Sequence, residues 1–324
     1  MKRLKQAAVI AAGAALAASA AAYITSFLWA ETALSRNTPK VMGHASGKIS
    51  GGTKKDEAFL EACRKASDAL KNKNHETVRI TARDGIELIG HYFPCENAKR
   101  VIVAFHGWRS SWHYDYGLIS PFWEQNCCSV LYVEQRGQNA SGGEYMGFGL
   151  TERFDCADWV SFAVCRAGKE IPVYLAGISM GAATVLMASD LNLPKNVHGI
   201  MADCGFTSPK AVFRHVAEKN LHMHYGMHSI LLDAMCKKRI CFAAGDCSAP
   251  NALSKTDIPI LFVHGSDDRF VPVEMTYENY KACRAPKRLL VVPGADHAAS
   301  YYADKNNYEQ AVLKFWSEFD KKNI

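Results

Sequence analysis

The chain lacks most of the features that would point away from an ordinary globular domain. No basic stripe interleaved with aromatics runs through it, which excludes a nucleic-acid partner. The formal charge is only +6 over 324 residues, and part of that excess sits at the ends, in Lys2, Arg3 and Lys5 and in Lys321 and Lys322. No internal repeat is visible. The eleven cysteines form no disulfide framework, being scattered along candidate strands and helices, and an odd number leaves at least one thiol free. They read as small buried hydrophobes of a reducing or anaerobic setting. Cys236, Cys241 and Cys247 are not spaced as in zinc ribbons. His215, His222, His224 and His228 lack a cysteine or carboxylate that would complete a ligand set. No metal and no cofactor is expected.

Charge is also absent from residues 7–30, a stretch of 24 positions, where about 20 apolar residues suffice to span a bilayer. Lys2, Arg3 and Lys5 precede it, Trp29 lies near its far end, and Glu31 closes it. Two readings stay open. A cleaved signal peptide would use the small residues around Ala18-Ser19-Ala20. An uncleaved anchor would use the whole run, including Tyr23, Ile24, Phe27 and Leu28, and is the favoured reading. The flanking positive charges put the N-terminus in the cytoplasm and the rest outside. Secretion after cleavage, or a cytoplasmic domain as the cysteines would prefer, are the alternatives.

Ordinary composition, 48% hydrophobic and 22% charged, lets a chain of this length bury a sizeable core. The expected organisation is an anchor or signal segment over 1–30, then a stalk and an amphipathic helix over 31–75, then one domain over 76–324. The stalk, to about residue 55, is rich in Gly, Ser, Thr and Lys, and the helix spans 56–71. A hairpin is expected around Arg83-Asp84-Gly85, between strands at 77–82 and 87–93. Apolar runs at 101–105, 130–134, 173–176, 199–202, 260–263 and 289–292 then alternate with helical segments at 115–125, 152–167, 180–191, 273–283 and 308–319. That alternation predicts an α/β fold with a mostly parallel sheet covered on both faces. Residues 206–254 are too long for a plain crossover. They read either as a cap over a pocket, with Met223, Met227, Ile230, Leu231, Leu232 and Met235 as adaptable apolar surface, or as further packing on the core.

The most informative motif is Gly177-Ile178-Ser179-Met180-Gly181, set between the apolar run 173–176 and a helical run from Ala182 onward. A serine on so tight a strand-to-helix turn needs small neighbours, and the turn lifts its hydroxyl clear of the sheet. A serine hydroxyl attacks only when a base takes its proton, so a histidine and an orienting carboxylate are required elsewhere. Downstream, the run 260–263 leads into His264-Gly265-Ser266-Asp267-Asp268, and the run 289–292 leads into Pro293-Gly294-Ala295-Asp296-His297. Carboxylate and histidine thus follow the serine in the order acid, then base, each in a loop after a late strand.

With these motifs the chain resembles the α/β-hydrolase superfamily over roughly residues 76–320, and within it the Bem46-like or serine-aminopeptidase-like group of serine hydrolases. The family acid precedes two variable residues and Val-Pro. That pattern falls on Asp268, followed by Arg269-Phe270-Val271-Pro272, with Asp267 the runner-up and Asp203 a position that some relatives use. The resemblance implies a triad of Ser179, Asp268 and His297. It also implies an oxyanion hole made by the backbone N–H of Met180 and of Trp108, the latter in the His106-Gly107-Trp108-Arg109 loop. His106 reads as a structural loop residue, and Trp108 and Trp112 as candidate pocket walls. The loop from Glu134 to Gly143 departs from the family at Glu134, Gln138 and Asn139, which bears on substrate shape.

The implied activity is hydrolysis of a small-molecule acyl ester through an acyl-serine. A thioesterase or an aminopeptidase would share the triad. An aminopeptidase would need a carboxylate for the substrate ammonium, for which Glu144 and Glu152 are candidates. A non-catalytic binding protein of this fold is the remaining alternative. The oligomeric state stays open.

Overall fold

The computed structural model of the chain describes residues 2–37, 49, 51, 56–168 and 170–320. It opens on a long helix, α1 (Lys2–Leu34), and the amphipathic helix α2 (Glu57–Lys71), which Asp56 caps by accepting from the Ala58 N–H. The hairpin follows as β1 (Glu76–Thr81) and β2 (Glu87–Phe93). The remaining strands are β3 (Arg100–Phe105), β4 (Cys128–Val133), β5 (Val173–Ile178), β6 (Val197–Asp203), β7 (Ile260–Gly265) and β8 (Lys287–Val292). Between or after them run α3 (Glu152–Ala167), α4 (Met180–Ala188), α5 (Pro209–His215), α6 (Tyr225–Ile240), α7 (Val273–Ala282) and α8 (Lys305–Phe319). Every strand expected from the apolar runs is present, with ends shifted by up to two residues.

These strands form one eight-stranded sheet in the order β1-β2-β4-β3-β5-β6-β7-β8. From β4 to β8 all neighbours are parallel, while β1 and β2 are antiparallel additions at one edge. The β3, β4 and β7 strands are buried at every position, as expected where helices cover both faces. Successive residues of a strand point to opposite faces, and β3 shows it. Val101 and Val103 pack with Trp159 of α3 and Val185 of α4, whereas Ile102 and Ala104 pack with Phe315 and Trp316 of α8. The parallel register brings the carboxyl ends of β3, β5, β6, β7 and β8 to one edge, where the loops carrying the candidate chemistry emerge.

One expected helix is broken. Residues 115–125 are two short helices, Trp112–Tyr116 and Ser120–Gln125. The break falls at Gly117, where a Cβ would come within 2.6 Å of the Ala66 backbone. Pro121, in the first turn of the second helix, has no N–H to donate to the Gly117 carbonyl, which accepts from Ser120 Oγ at 3.0 Å instead, so the first helix does not run on.

The first helix is long and apolar enough to cross a membrane over Lys5–Leu34, and it does not end where the uncharged run does. Its described side chains from Lys5 to Ala21 are exposed. Farther on it enters the domain, with Ser26, Trp29, Ala30, Ala33 and Leu34 buried. Residues 34–36 then pair with 144–146, through Met146 N–H to Leu34 O at 2.6 Å and Arg36 N–H to Glu144 O at 2.8 Å. Of the expected stalk, residues 31–37 are thus bound to the domain. The rest, apart from Ile49 and Gly51, lies outside the described residues.

Candidate active site

Ser179 closes β5 and caps α4 with φ 55° and ψ −115°, a left-handed backbone that a non-glycine residue rarely adopts. Packing holds it there. A Cβ on Gly181 would collide with the Phe105 carbonyl of β3, and one on Gly177 with the Gly181 carbonyl. Both glycines are therefore required by close approach, as the motif demands.

The structure brings Ser179, Asp268 and His297 together. His297 Nε2 lies 2.9 Å from Ser179 Oγ, and its Nδ1 lies 2.6 Å from Asp268 Oδ2. A proton on Nδ1 donates to the carboxylate and leaves Nε2 to accept from the hydroxyl. Asp268 is buried, and its second oxygen accepts from the Phe270 and Val271 N–H groups at 2.9 and 2.8 Å. Burial disfavours its charge. The facing His297 and the hydrogen bonds from His264 and His297 outweigh that and hold the carboxyl well below the usual carboxylate range. The rival carboxylates are elsewhere engaged. Asp267 is exposed and accepts from Ser266 Oγ. Asp203 accepts from Ser300 Oγ at 3.0 Å, and burial pushes its carboxyl up.

Met180 N–H is the first of α4, so its own helix offers it no acceptor. Trp108 N–H lies between two N–H groups that are taken. Gly107 donates to Asp115 Oδ2 at 2.7 Å and Arg109 to Gln138 Oε1 at 2.6 Å. Among the described residues the Trp108 N–H has no acceptor. His106 is fully buried, with Nδ1 on the Gly107 carbonyl at 2.8 Å and Nε2 accepting from Gln135 N–H at 3.2 Å. Burial lowers its pKa, in keeping with a neutral structural residue.

An apolar cavity of about 350 Å³ adjoins this constellation. Trp108 and Phe270 line it, and the Phe270 ring lies edge-on to His297 at 5.0 Å. Phe213 and Met223 line it from the insertion before β7. Leu232 and Met235 of the same insertion instead join the core. Trp112 does not line the cavity. It is buried beside β2 with its ring stacked on His91 at 4.4 Å, because the helix it opens packs toward the other sheet face. The opposite wall comes from α1, through Thr25, Leu28, Trp29, Thr32 and Ala33.

Neither candidate for ammonium binding lines this cavity. Glu152 is buried with its oxygens on Gly147 and Gly149 N–H at 2.6 and 2.8 Å, and Glu144 is exposed and does not line the cavity. His228, one of the histidines weighed as a metal ligand, is hydrogen-bonded to Ser26 at 2.8 Å, and His215 faces the Arg269 carbonyl. Among the described residues, the grouping with metal-ligand proximity is Cys204, Asp268 and His297, which coincides with the serine-histidine-carboxylate chain.

A model of the alpha/beta hydrolase family matches residues 102–306, well over half of the chain. The chain is a member of the alpha/beta hydrolase family. The uncharacterized protein YqkD of Bacillus subtilis (strain 168) is 26% identical over 244 residues, which cover 73% of this chain and 77% of YqkD. Among solved structures, the Pyrococcus furiosus esterase Pf2001 aligns with a TM-score of 0.61 at 20% identity, covering 76% of this chain and 94% of the esterase. The Pyrococcus horikoshii acylaminoacyl peptidase aligns with a TM-score of 0.60 at 15% identity, covering 79% of this chain and 44% of that one. Likeness at this level carries the fold, and the family makes this alpha/beta hydrolase a hydrolase.

Two residues that no motif marks as functional, His264 and Gln138, support the site. His264 sits behind Asp268, with Nε2 3.2 Å from Oδ2 and 2.8 Å from the Val271 carbonyl, and Nδ1 2.6 Å from Thr276 Oγ1. Burial works to lower its pKa, but Asp268 outweighs that and raises it. Its position at the end of a buried strand, four residues before the acid, was the available signal. Gln138, noted only as a departure from the family pattern, anchors the Arg109 N–H.

Proposed function

We propose that this alpha/beta hydrolase cleaves carboxylic esters through an acyl-serine intermediate. Ser179 Oγ attacks the ester carbonyl carbon while His297 Nε2 takes the hydroxyl proton. The Trp108 and Met180 N–H groups stabilise the tetrahedral oxyanion, where each donor contributes about 3 kcal/mol to lowering the barrier. Collapse breaks the bond to the leaving oxygen, which receives the proton from His297 and departs as the alcohol. Water then gives a proton to His297 and attacks the acyl carbonyl, so that the carboxylic acid leaves and Ser179 regains its proton. Asp268 holds the imidazole and stabilises its charged form.

The observation that carries this reading is the hydrogen-bonded series Asp268–His297–Ser179 beside an uncharged cavity. No charged side chain lines that cavity among the described residues, and Glu152 is engaged with backbone, so the ester reading ranks ahead of an aminopeptidase. The test is hydrolysis of p-nitrophenyl acetate, butyrate and decanoate by the full chain beside Ser179→Ala. Turnover lost in the variant, together with fluorophosphonate labelling of the unaltered chain at Ser179, supports it. Equal turnover in both chains sinks it.

The same proposal makes α1 a membrane anchor, supported by its length and its uncharged run. With Lys2, Arg3 and Lys5 on the cytoplasmic side, the domain lies outside. Cys165 and Cys241 are exposed, so a membrane-impermeant maleimide should reach them on intact cells. Labelling only after lysis would put the domain on the cytoplasmic side.

A further inference from the structure

The hydrolase domain does not close its own pocket, because one wall is the end of the N-terminal helix. Thr25, Leu28, Trp29, Thr32 and Ala33 of α1 line the cavity whose other end meets Trp108 and Phe270. The wall is tied in place by contacts to α6. Ser26 Oγ and His228 Nδ1 are 2.8 Å apart and buried, the Trp29 and Tyr225 rings meet edge to face at 6.0 Å, and Arg239 Nε donates to Glu31 at 2.9 Å.

The exposure of α1 changes just before this wall. Tyr23 and Ile24 are 55% and 57% exposed, whereas Ser26 is fully buried. Residues 6–24 make a free helix of about 28 Å at 1.5 Å per residue, close to the roughly 30 Å hydrocarbon core of a bilayer. They carry no charged side chain. A helix inserted to that depth would leave the bilayer where the cavity begins, with Thr25 and Leu28 at its membrane end. Apart from Thr25 and Thr32 the lining side chains are aliphatic, aromatic or thioether, and the Thr32 hydroxyl donates to the Leu28 carbonyl of its own helix at 2.7 Å.

From this we infer that the substrate is a long-chain acyl ester resident in the bilayer, whose chain enters the cavity along α1. The inference rests on the esterase reading above and adds the substrate class. The anchor is then part of the binding site, and the chain slides from lipid to cavity without crossing water. While it lies inside the cavity, each added methylene should raise kcat/KM by about fourfold.

The test uses the full chain in phosphatidylcholine vesicles with p-nitrophenyl acetate, butyrate, decanoate and palmitate. Decanoate or palmitate should be the best substrate, and palmitate turnover should fall when plain lipid is added at constant ester and protein. Leu28→Trp and, one turn earlier, Thr25→Trp should each lower kcat/KM for the long esters by about tenfold or more and move the optimum to shorter chains. An optimum at acetate or butyrate in the unaltered chain, indifference to added lipid, or an unchanged profile in a variant that still labels with a fluorophosphonate would each overturn the inference while leaving the esterase reading intact. The lipid-dilution measurement needs no substitution, so it stands even where a variant fails to fold. No turnover of any ester, with Ser179 unlabelled, overturns both.

Discussion

The indole Nε1–H of Trp108 donates to the main-chain carbonyl of Ala33 at 2.9 Å, joining the loop after β3 to the last turn of α1. Arg109 extends the joint, donating to the carbonyls of Thr32 at 2.8 Å, Ser35 at 2.6 Å and Arg36 at 3.2 Å. The last carbonyls of a helix lack partners within it, and the negative end of its dipole favours a cation. The N-terminal helix is therefore fastened to the loop that carries the proposed oxyanion donor.

Arg109→Ala removes that cap. Hydrogen bonds to a charged group contribute about 1.5–3 kcal/mol, so a drop in unfolding free energy of that size is expected in denaturant titration. The loop should loosen as well, lowering kcat for p-nitrophenyl butyrate by roughly tenfold with KM less affected. A KM effect with normal kcat would mean that the loop binds substrate and does not place the donor.

Asp268→Asn keeps the shape but no longer accepts the Nδ1 proton in the same way, which favours the wrong imidazole tautomer. Ester turnover should fall by roughly 10³–10⁴-fold, and fluorophosphonate labelling of Ser179 should slow in parallel. Asp267→Asn should change neither, because that side chain is exposed. The reverse ranking would reassign the acid.

His264→Gln tests the residue behind the acid. Asp268 and Asp203 both act on His264 to raise its pKa against burial, and Thr276 and the Val271 carbonyl complete its polar contacts. A raised folded-state pKa gives stability that is fully present below the unfolded value of about 6.5 and is lost as pH rises through the folded value. Asp268, with its pKa depressed, loses its contribution only on acidification below about pH 4. The stability gap between unaltered chain and variant should therefore be wider at pH 5.5 than at pH 9 in urea titrations. A gap that widens with rising pH contradicts this assignment.

Gly181→Ala inserts a Cβ of α4 against the Phe105 carbonyl of β3, where both residues are buried. Overpacking of this kind costs about 1–3 kcal/mol and more against fixed backbone, so the melting temperature should fall sharply. Gly85→Ala, where a Cβ meets open space but the backbone has φ of +83°, should cost only about 1 kcal/mol. Equal melting temperatures for the two variants would mean that the elbow tolerates a larger residue.

The strands, the fold class and the positions of Ser179, Asp268 and His297 at strand ends were legible because each depends on contiguous residues. An apolar run of four or five marks a strand covered on both faces, and the two glycines around Ser179 mark a turn with no space for side chains. The break between Tyr116 and Ser120 has a local mark in Pro121, which the expected helix over 115–125 runs through. Only packing decides that Gly117 meets the Ala66 backbone, and which sheet face an aromatic such as Trp112 meets.

The sequence by itself determined the order of the candidate residues, serine, then carboxylate, then histidine, each past a strand whose pattern is local. Only the tertiary structure decided what surrounds that chemistry. Asp267 and Asp268 are adjacent residues of one type, and the bend after β7 turns only the second inward. Gln138 and Arg109 meet because β3 and β4 are parallel neighbours, and Arg109 reaches Thr32 because α1 lies against their loops. The uncharged run of α1 looks the same at Ala11 and at Ala30, yet one is exposed and the other is buried in the domain. Hydrophobicity sets whether such a helix leaves water. Whether lipid or protein receives it depends on complementary surfaces from distant parts of the chain, and those exist only once the sheet has formed.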